Sequence, residues 1–169
     1  MRRTSLLVGV VVFALCLSIP AASAPSSTLR AVIDMEVVLD CPLEPPSPGD
    51  LLHVDDPTAC WTGPVTGDIN GTIAFWGTDA TFVVGDTDYF MEVFTFEPDS
   101  GGYLYGVHQG VFKLKTPYLF SSKGWVTAAS PEWAHLIGAT YTEKGQTSDI
   151  NDWPITAFGT KMTLTRATA

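Results

Sequence analysis

The chain has 169 residues, with 18 Asp and Glu against 9 Lys and Arg and a net charge of −9 at neutral pH. So acidic a surface repels nucleic acid and anionic lipid, which excludes both as expected partners, and it suits solubility outside a cell.

Arg2 and Arg3, the apolar run from Leu6 to Ile19 and the small residues Ala22-Ser23-Ala24 form the three parts of a secretory signal peptide. Cleavage is expected after Ala24. The apolar run is shorter than the roughly 20 residues of a spanning helix, and no later segment is apolar enough to span. The processed protein is therefore expected to be secreted or extracytoplasmic (periplasmic or cell-envelope), with no stable membrane span. An uncleaved anchor is the alternative. Processing takes away residues 1–24, with two of the nine basic residues and no acid. It leaves 145 residues with seven basic against eighteen acidic side chains, a charge of −11. Residues 25–169 then make one domain of a size that buries a core.

Cys16 leaves with the signal, so Cys41 and Cys60 remain. An oxidising compartment favours pairing them, and two cysteines allow one connectivity. Buried free thiols are the alternative.

Along the chain, alternation at period two dominates. Leu29 to Asp40 reads as a first strand. Residues 41–58 carry five prolines and read as a loop, clamped by the expected disulfide. From Trp61 to Gly77, one set of alternate residues is apolar with interspersed glycines and the other is mostly polar. This is one coiled strand, or two strands broken near Asp68 to Gly71 with Asn70-Gly71 as a tight turn. Asn70-Gly71-Thr72 is also a glycosylation sequon.

Further strands are expected at Ala80–Val84, Asp88–Glu97, Tyr103–Thr116, Trp125–Ala129, Ala134–Glu143 and Ile155–Arg166. The weak helical candidate is a single turn at Ser130–Leu136, with Ser130 as cap and Pro131 in the first position. Eight or nine strands without intervening helices predict an all-β fold. The expected form is a single antiparallel eight-stranded barrel, whose closure removes exposed edges; a two-sheet β-sandwich is the alternative.

Two segments carry a resemblance. Cys60 to Thr72 has the pattern W-x-G-x-V-x-G-D-x-x-G, and Gly124 to Thr140 has G-x-V-T-x-A-S followed by W-A-x-L-x-G. Together they resemble the allene oxide cyclase barrel-like family, a calycin-type group. The matched positions are mostly glycines, aromatics and small residues, which bear on architecture. The resemblance implies a lumen able to enclose an apolar molecule. Plant cyclases of the group act on a fatty-acid epoxide with a glutamate, but no glutamate here aligns with it, and acids fall mainly in loops.

The sharpest chemical candidates are Glu92 and His108. A hairpin turning about Ser100 sets Phe96 opposite Leu104, Phe94 opposite Gly106, Glu92 opposite His108 and Phe90 opposite Gly110. A carboxylate then meets an imidazole on the more apolar face, where the pair could exchange a proton. A one-residue slip would separate them. Phe90, Phe94, Phe96 and Phe112 share that face and are the expected ligand-binding side chains. His53 with Asp55 and Asp56, and Asp86 with Asp88, read as polar loops, and His135 as structural or exposed. Nucleophile, phosphate-loop, dinucleotide, Cys-x-x-Cys and zinc-protease motifs are absent, so neither a metal nor a cofactor is expected. The leading functional reading is a lumen that binds a small apolar ligand without catalysis. A cell-envelope structural or interaction protein comes second, and a cyclase- or isomerase-like barrel enzyme third.

Overall fold

The structure, a computed structural model, describes residues 28–46 and 52–166. The expected signal peptide and its cleavage after Ala24 lie outside the described residues. Nine strands follow in order: β1 (Thr28–Val38), β2 (Cys60–Gly67), β3 (Gly71–Gly77), β4 (Phe82–Val84), β5 (Thr87–Pro98), β6 (Leu104–Lys113), β7 (Leu119–Ala129), β8 (Thr140–Gln146) and β9 (Thr156–Thr165). A short 3-10 helix, Pro131–Leu136, sits between β7 and β8. None of the described helices is long and apolar enough to cross a membrane.

All pairings are antiparallel. β1 pairs with both β2 and β9, and β3 pairs with β5, so eight strands close into a barrel and β4 adds an outer flange to β5. The sandwich alternative is thereby excluded. Closure follows from the sequence pattern. Strands with one apolar face and one polar face gain by wrapping that apolar face inward, and a ring leaves fewer edges unpaired.

Several expectations need correcting. The run from Trp61 to Gly77 is two strands, but Asn70-Gly71 is not a two-residue turn. Val65 pairs with Gly71, so five residues intervene, and the Asn70 side-chain oxygen accepts from the Gly67 amide at 3.0 Å. β7 begins six residues before Trp125. The segment expected as a strand from Ala134 splits into the end of the 3-10 helix and β8. Pro131 does open that helix, but Ser130 makes no side-chain cap. The Ser130 hydroxyl instead accepts from the Tyr103 amide at 3.1 Å.

The barrel has two unlike halves. At one end Val65, Ile69, Phe96, Leu104, Val126, Ala139 and Leu164 pack solidly, with Leu136 of the 3-10 helix as a plug. Phe94 belongs to this half, its ring lying over Gly106, where any Cβ would strike it. At the other end β3 and β5 part company. Their pairing runs from Gly71–Pro98 to Gly77–Glu92, after which β5 turns to β4 at Tyr89–Phe82. The wall splits there and the interior is hollow.

A second apolar cluster lies outside the barrel. Trp76, Ala74 and Val93 point outward and are buried with Cys60 beneath Cys41, Leu43, Leu52 and Val54. The Pro-rich segment thus covers the outer wall. Cys41 and Cys60 form a disulfide, and the Trp76 indole N–H donates to the Pro57 carbonyl at 3.2 Å.

Candidate functional site

β5 and β6 are joined in the register that sets Glu92 opposite His108, and both side chains turn into the lumen. Glu92 Oε2 stands 3.0 Å from His108 Nε2. The contact is electrostatic, since Nε2 makes no well-aligned hydrogen bond. The His108 side chain is 0% exposed and that of Glu92 16%. On the far side of the ring, Nδ1 lies 2.7 Å from Ser122 Oγ and 3.9 Å from Glu143 Oε1. Phe75, Tyr141 and Phe90 surround the imidazole, with ring centroids 5.1, 5.3 and 5.8 Å away. These faces attract an imidazolium.

Three residues here escaped the sequence reading. Ser122 comes from the first half of β7, Tyr141 and Glu143 from β8. Glu143 is one of the minority of acids that lie on a strand. Its side chain is 3% exposed, and its Oε2 accepts the Tyr141 hydroxyl. A signal was present: Tyr141 and Glu143 are two apart, and Ser122 is two turns of the pleat before Val126 on the same face. The strand start expected at Trp125 cut off Ser122, whereas Tyr141 and Glu143 lay inside the expected Ala134–Glu143 strand without being singled out.

Burial raises the electrostatic stakes. For His108, burial is the largest influence and disfavours the charged ring. The close contact and charge of Glu92 together with the charge of Glu143 outweigh it, so its pKa stands above the ordinary value. Glu143 is pushed up chiefly by burial and also by Glu92, against the opposing pull of His108, Tyr141 and Ser122. Tyr141 is pushed well up by burial and by Glu143. Asp88, at the rim, is raised by burial and by Glu92. The cluster therefore holds protons more tightly than its separate members would.

A cavity of about 200 Å³ adjoins this cluster at the split end of the barrel. Met35, Trp61, Phe75, Phe90, Phe112 and Phe120 supply its apolar wall, and Asp88, Glu92, Glu143 and Thr147 its polar one. An outer recess of about 290 Å³ shares Trp61, Phe75, Asp88, Phe90 and Glu92 with it and adds Asp55. Of the four phenylalanines expected to meet a ligand, Phe90 and Phe112 line the cavity. Phe94 and Phe96 are 1% exposed in the packed half and do not line it.

The other polar candidates lie elsewhere. His53 Nδ1 is bonded to the Val54 carbonyl at 2.7 Å, Asp56 accepts from Thr58, and Asp86 pairs with Lys115 on the surface. His135 is exposed beside Trp133. Among the described residues, no group of three or more His, Cys, Asp or Glu side chains is placed to hold a metal ion.

Fold and site together define a closed antiparallel barrel, packed at one end and hollow at the other, with a buried His–carboxyl cluster beside the hollow. No protein-family model, no curated protein and no solved structure matches the chain.

Proposed function

We propose that this barrel binds a small, largely apolar molecule in the hollow end of its lumen, outside the cytoplasm, without chemically changing it. One observation carries the reading: the cavity walled by Met35, Trp61, Phe75, Phe90, Phe112 and Phe120 in a barrel whose other half is filled. A barrel serving only as a scaffold has no need of an open half. An apolar cavity of about 150 Å³ suffices for benzene, while drug-sized ligands take roughly 300–1,000 Å³. The ligand is therefore a compact one, about one ring in size with a short extension. The Cys41–Cys60 disulfide suits an oxidising compartment, in keeping with the expected export. The likeness to the allene oxide cyclase barrel-like family supports lumen binding and no more.

The test is titration with benzene, toluene and indole, read by thermal unfolding and by chemical-shift changes of the lining residues. Binding is expected to raise the unfolding midpoint, and Phe112→Trp, which narrows the hollow, is expected to weaken the effect. No shift with any of the three, nor with an ammonium-bearing analogue of the same size, would sink the reading.

A second reading is favoured by Glu143. A deeply buried carboxyl with a raised pKa beside a histidine is equipped for proton transfer. Glu92→Gln separates the two: a binder shows no turnover to lose, whereas a barrel isomerase loses turnover while still binding.

A further inference from the structure

The lumen's charge is one-sided. The titratable side chains on the cavity wall are the carboxyls of Asp88, Glu92 and Glu143, and the outer recess adds Asp55. Among the described residues, neither hollow is lined by a lysine or an arginine. Among the described residues, the cationic group in contact with the wall's carboxyls is His108, which lies behind the wall against Glu92 and Glu143, while the Lys113 ammonium is held by the Thr87 hydroxyl. Even with Glu143 protonated and His108 balancing Glu92, Asp88 leaves the hollow net negative. With Glu143 ionised the excess doubles.

The second observation is unmet hydrogen-bonding capacity. Among the described residues, three buried side-chain atoms lack a hydrogen-bond partner: Asp88 Oδ1, His108 Nε2 and Thr160 Oγ1. Of these, Asp88 Oδ1, an acceptor, belongs to the cavity wall, while His108 Nε2 stands behind it against Glu92. A buried acceptor without a donor costs free energy, and a ligand N–H would relieve that cost. Glu143, 5% exposed, brings a third carboxyl to the same wall.

The third is aromatic. Trp61, Phe75, Phe90, Phe112 and Phe120 enclose the same space. Ring faces attract a cation, most strongly when water is excluded. Carboxyls and aromatic faces in one hollow form a poor site for a neutral hydrocarbon, which gains nothing from the acids. They form a worse one for a fatty-acid carboxylate, which the acids repel.

We propose that the ligand is a small organic cation, an arylalkyl or alkyl amine whose ammonium meets Asp88, Glu92 and Glu143 while its apolar part fills the aromatic end of the cavity. This rests on the lumen-binding reading and adds the ligand's charge class to it. A single ring with a two-carbon amine arm suits a hollow slightly larger than one that accepts benzene.

The experiment uses three near-isosteres, 2-phenylethylammonium, 2-phenylethanol and 3-phenylpropionate, titrated at neutral pH into the disulfide-bonded protein, with benzene as an uncharged control. The ammonium is expected to bind about tenfold or more tightly than the alcohol, and the carboxylate more weakly than either. Asp88→Asn combined with Glu92→Gln keeps the side-chain shapes and is expected to reduce the ammonium's advantage to about twofold or less. Equal binding of ammonium and alcohol, or tighter binding of alcohol or carboxylate, overturns the cation assignment and leaves lumen binding standing. Binding of benzene with no binding of the ammonium does the same. Failure of all four overturns both. An ammonium preference that survives the double substitution overturns the assignment of the ammonium to Asp88 and Glu92.

Discussion

Glu92 and His108 approach to 3.0 Å across the β5–β6 hairpin, and the imidazole makes its other contact with Ser122 of β7. Glu92→Gln keeps the shape and removes the charge. While His108 is protonated, the loss leaves a buried cation with one carboxyl fewer. A destabilisation of about 1–3 kcal/mol is expected at pH 6, less than for a fully buried pair because Glu92 is partly exposed. It is expected to fade as pH rises and the ring becomes neutral. Urea denaturation at pH 6 and pH 9 checks both the size and the fading; an effect independent of pH would contradict the charge pairing.

The proton-holding cluster gives the whole protein a pH slope. The raised pKa of His108 means its stabilisation is complete below the unfolded value of 6.5 and is lost as pH climbs through the higher folded value. Glu143 acts in the same sense. Its protonated form suits the buried site, so its contribution is complete below 4.5 and is lost as pH rises through its raised folded value. The lowered pKa values of exposed Asp56, Asp86 and Asp149 act near or below 3.8 and do not reach this window. The thermal midpoint is therefore expected to fall from about pH 5 to about pH 8, and Glu143→Gln to flatten part of that fall. Differential scanning calorimetry across the range decides it.

Gly124 supports the same histidine from behind. A Cβ there would collide with the Val107 carbonyl oxygen and with His108 Cα and Cβ. Backbone cannot swing aside as a flexible side chain can, so Gly124→Ala is expected to cost about 3 kcal/mol or more and to displace His108. Denaturant midpoints measure the cost, and the His108 imidazole proton resonances report the displacement.

The disulfide ties Cys41 to Cys60 beside the outer cluster around Trp76, which Leu43, Leu52 and Val54 cover. Cys41→Ser with Cys60→Ser opens a loop of sequence separation 19 and is expected to lower stability by about 3 kcal/mol. Trp76, buried at 0% exposure, should then become accessible to a collisional quencher before the barrel unfolds. Simultaneous loss of both signals would mean that the loop and barrel form one cooperative unit.

Two-residue alternation and one tight turn made the Glu92–His108 register and most strands legible from the chain alone, and the count of cysteines did the same for the disulfide. These are local facts: side chains two apart share a face, and a short connection about Ser100 fixes which residues meet. The glycine opposite Phe94 was readable for the same reason. What sequence left open was closure, barrel against sandwich, because that turns on β3 meeting β5 and β1 meeting β9 across long separations. Ser122, Tyr141 and Glu143 joined the site only through that closure, which brings β7 and β8 to the far side of His108. The division into a packed half and a hollow half was likewise a tertiary outcome. Phe90 and Phe96 lie on the same face of one strand, yet one lines a cavity and the other fills a core. The difference is set by the departure of β5 from β3 toward β4 and by Leu136 plugging the opposite end, and neither is encoded in the residues of β5.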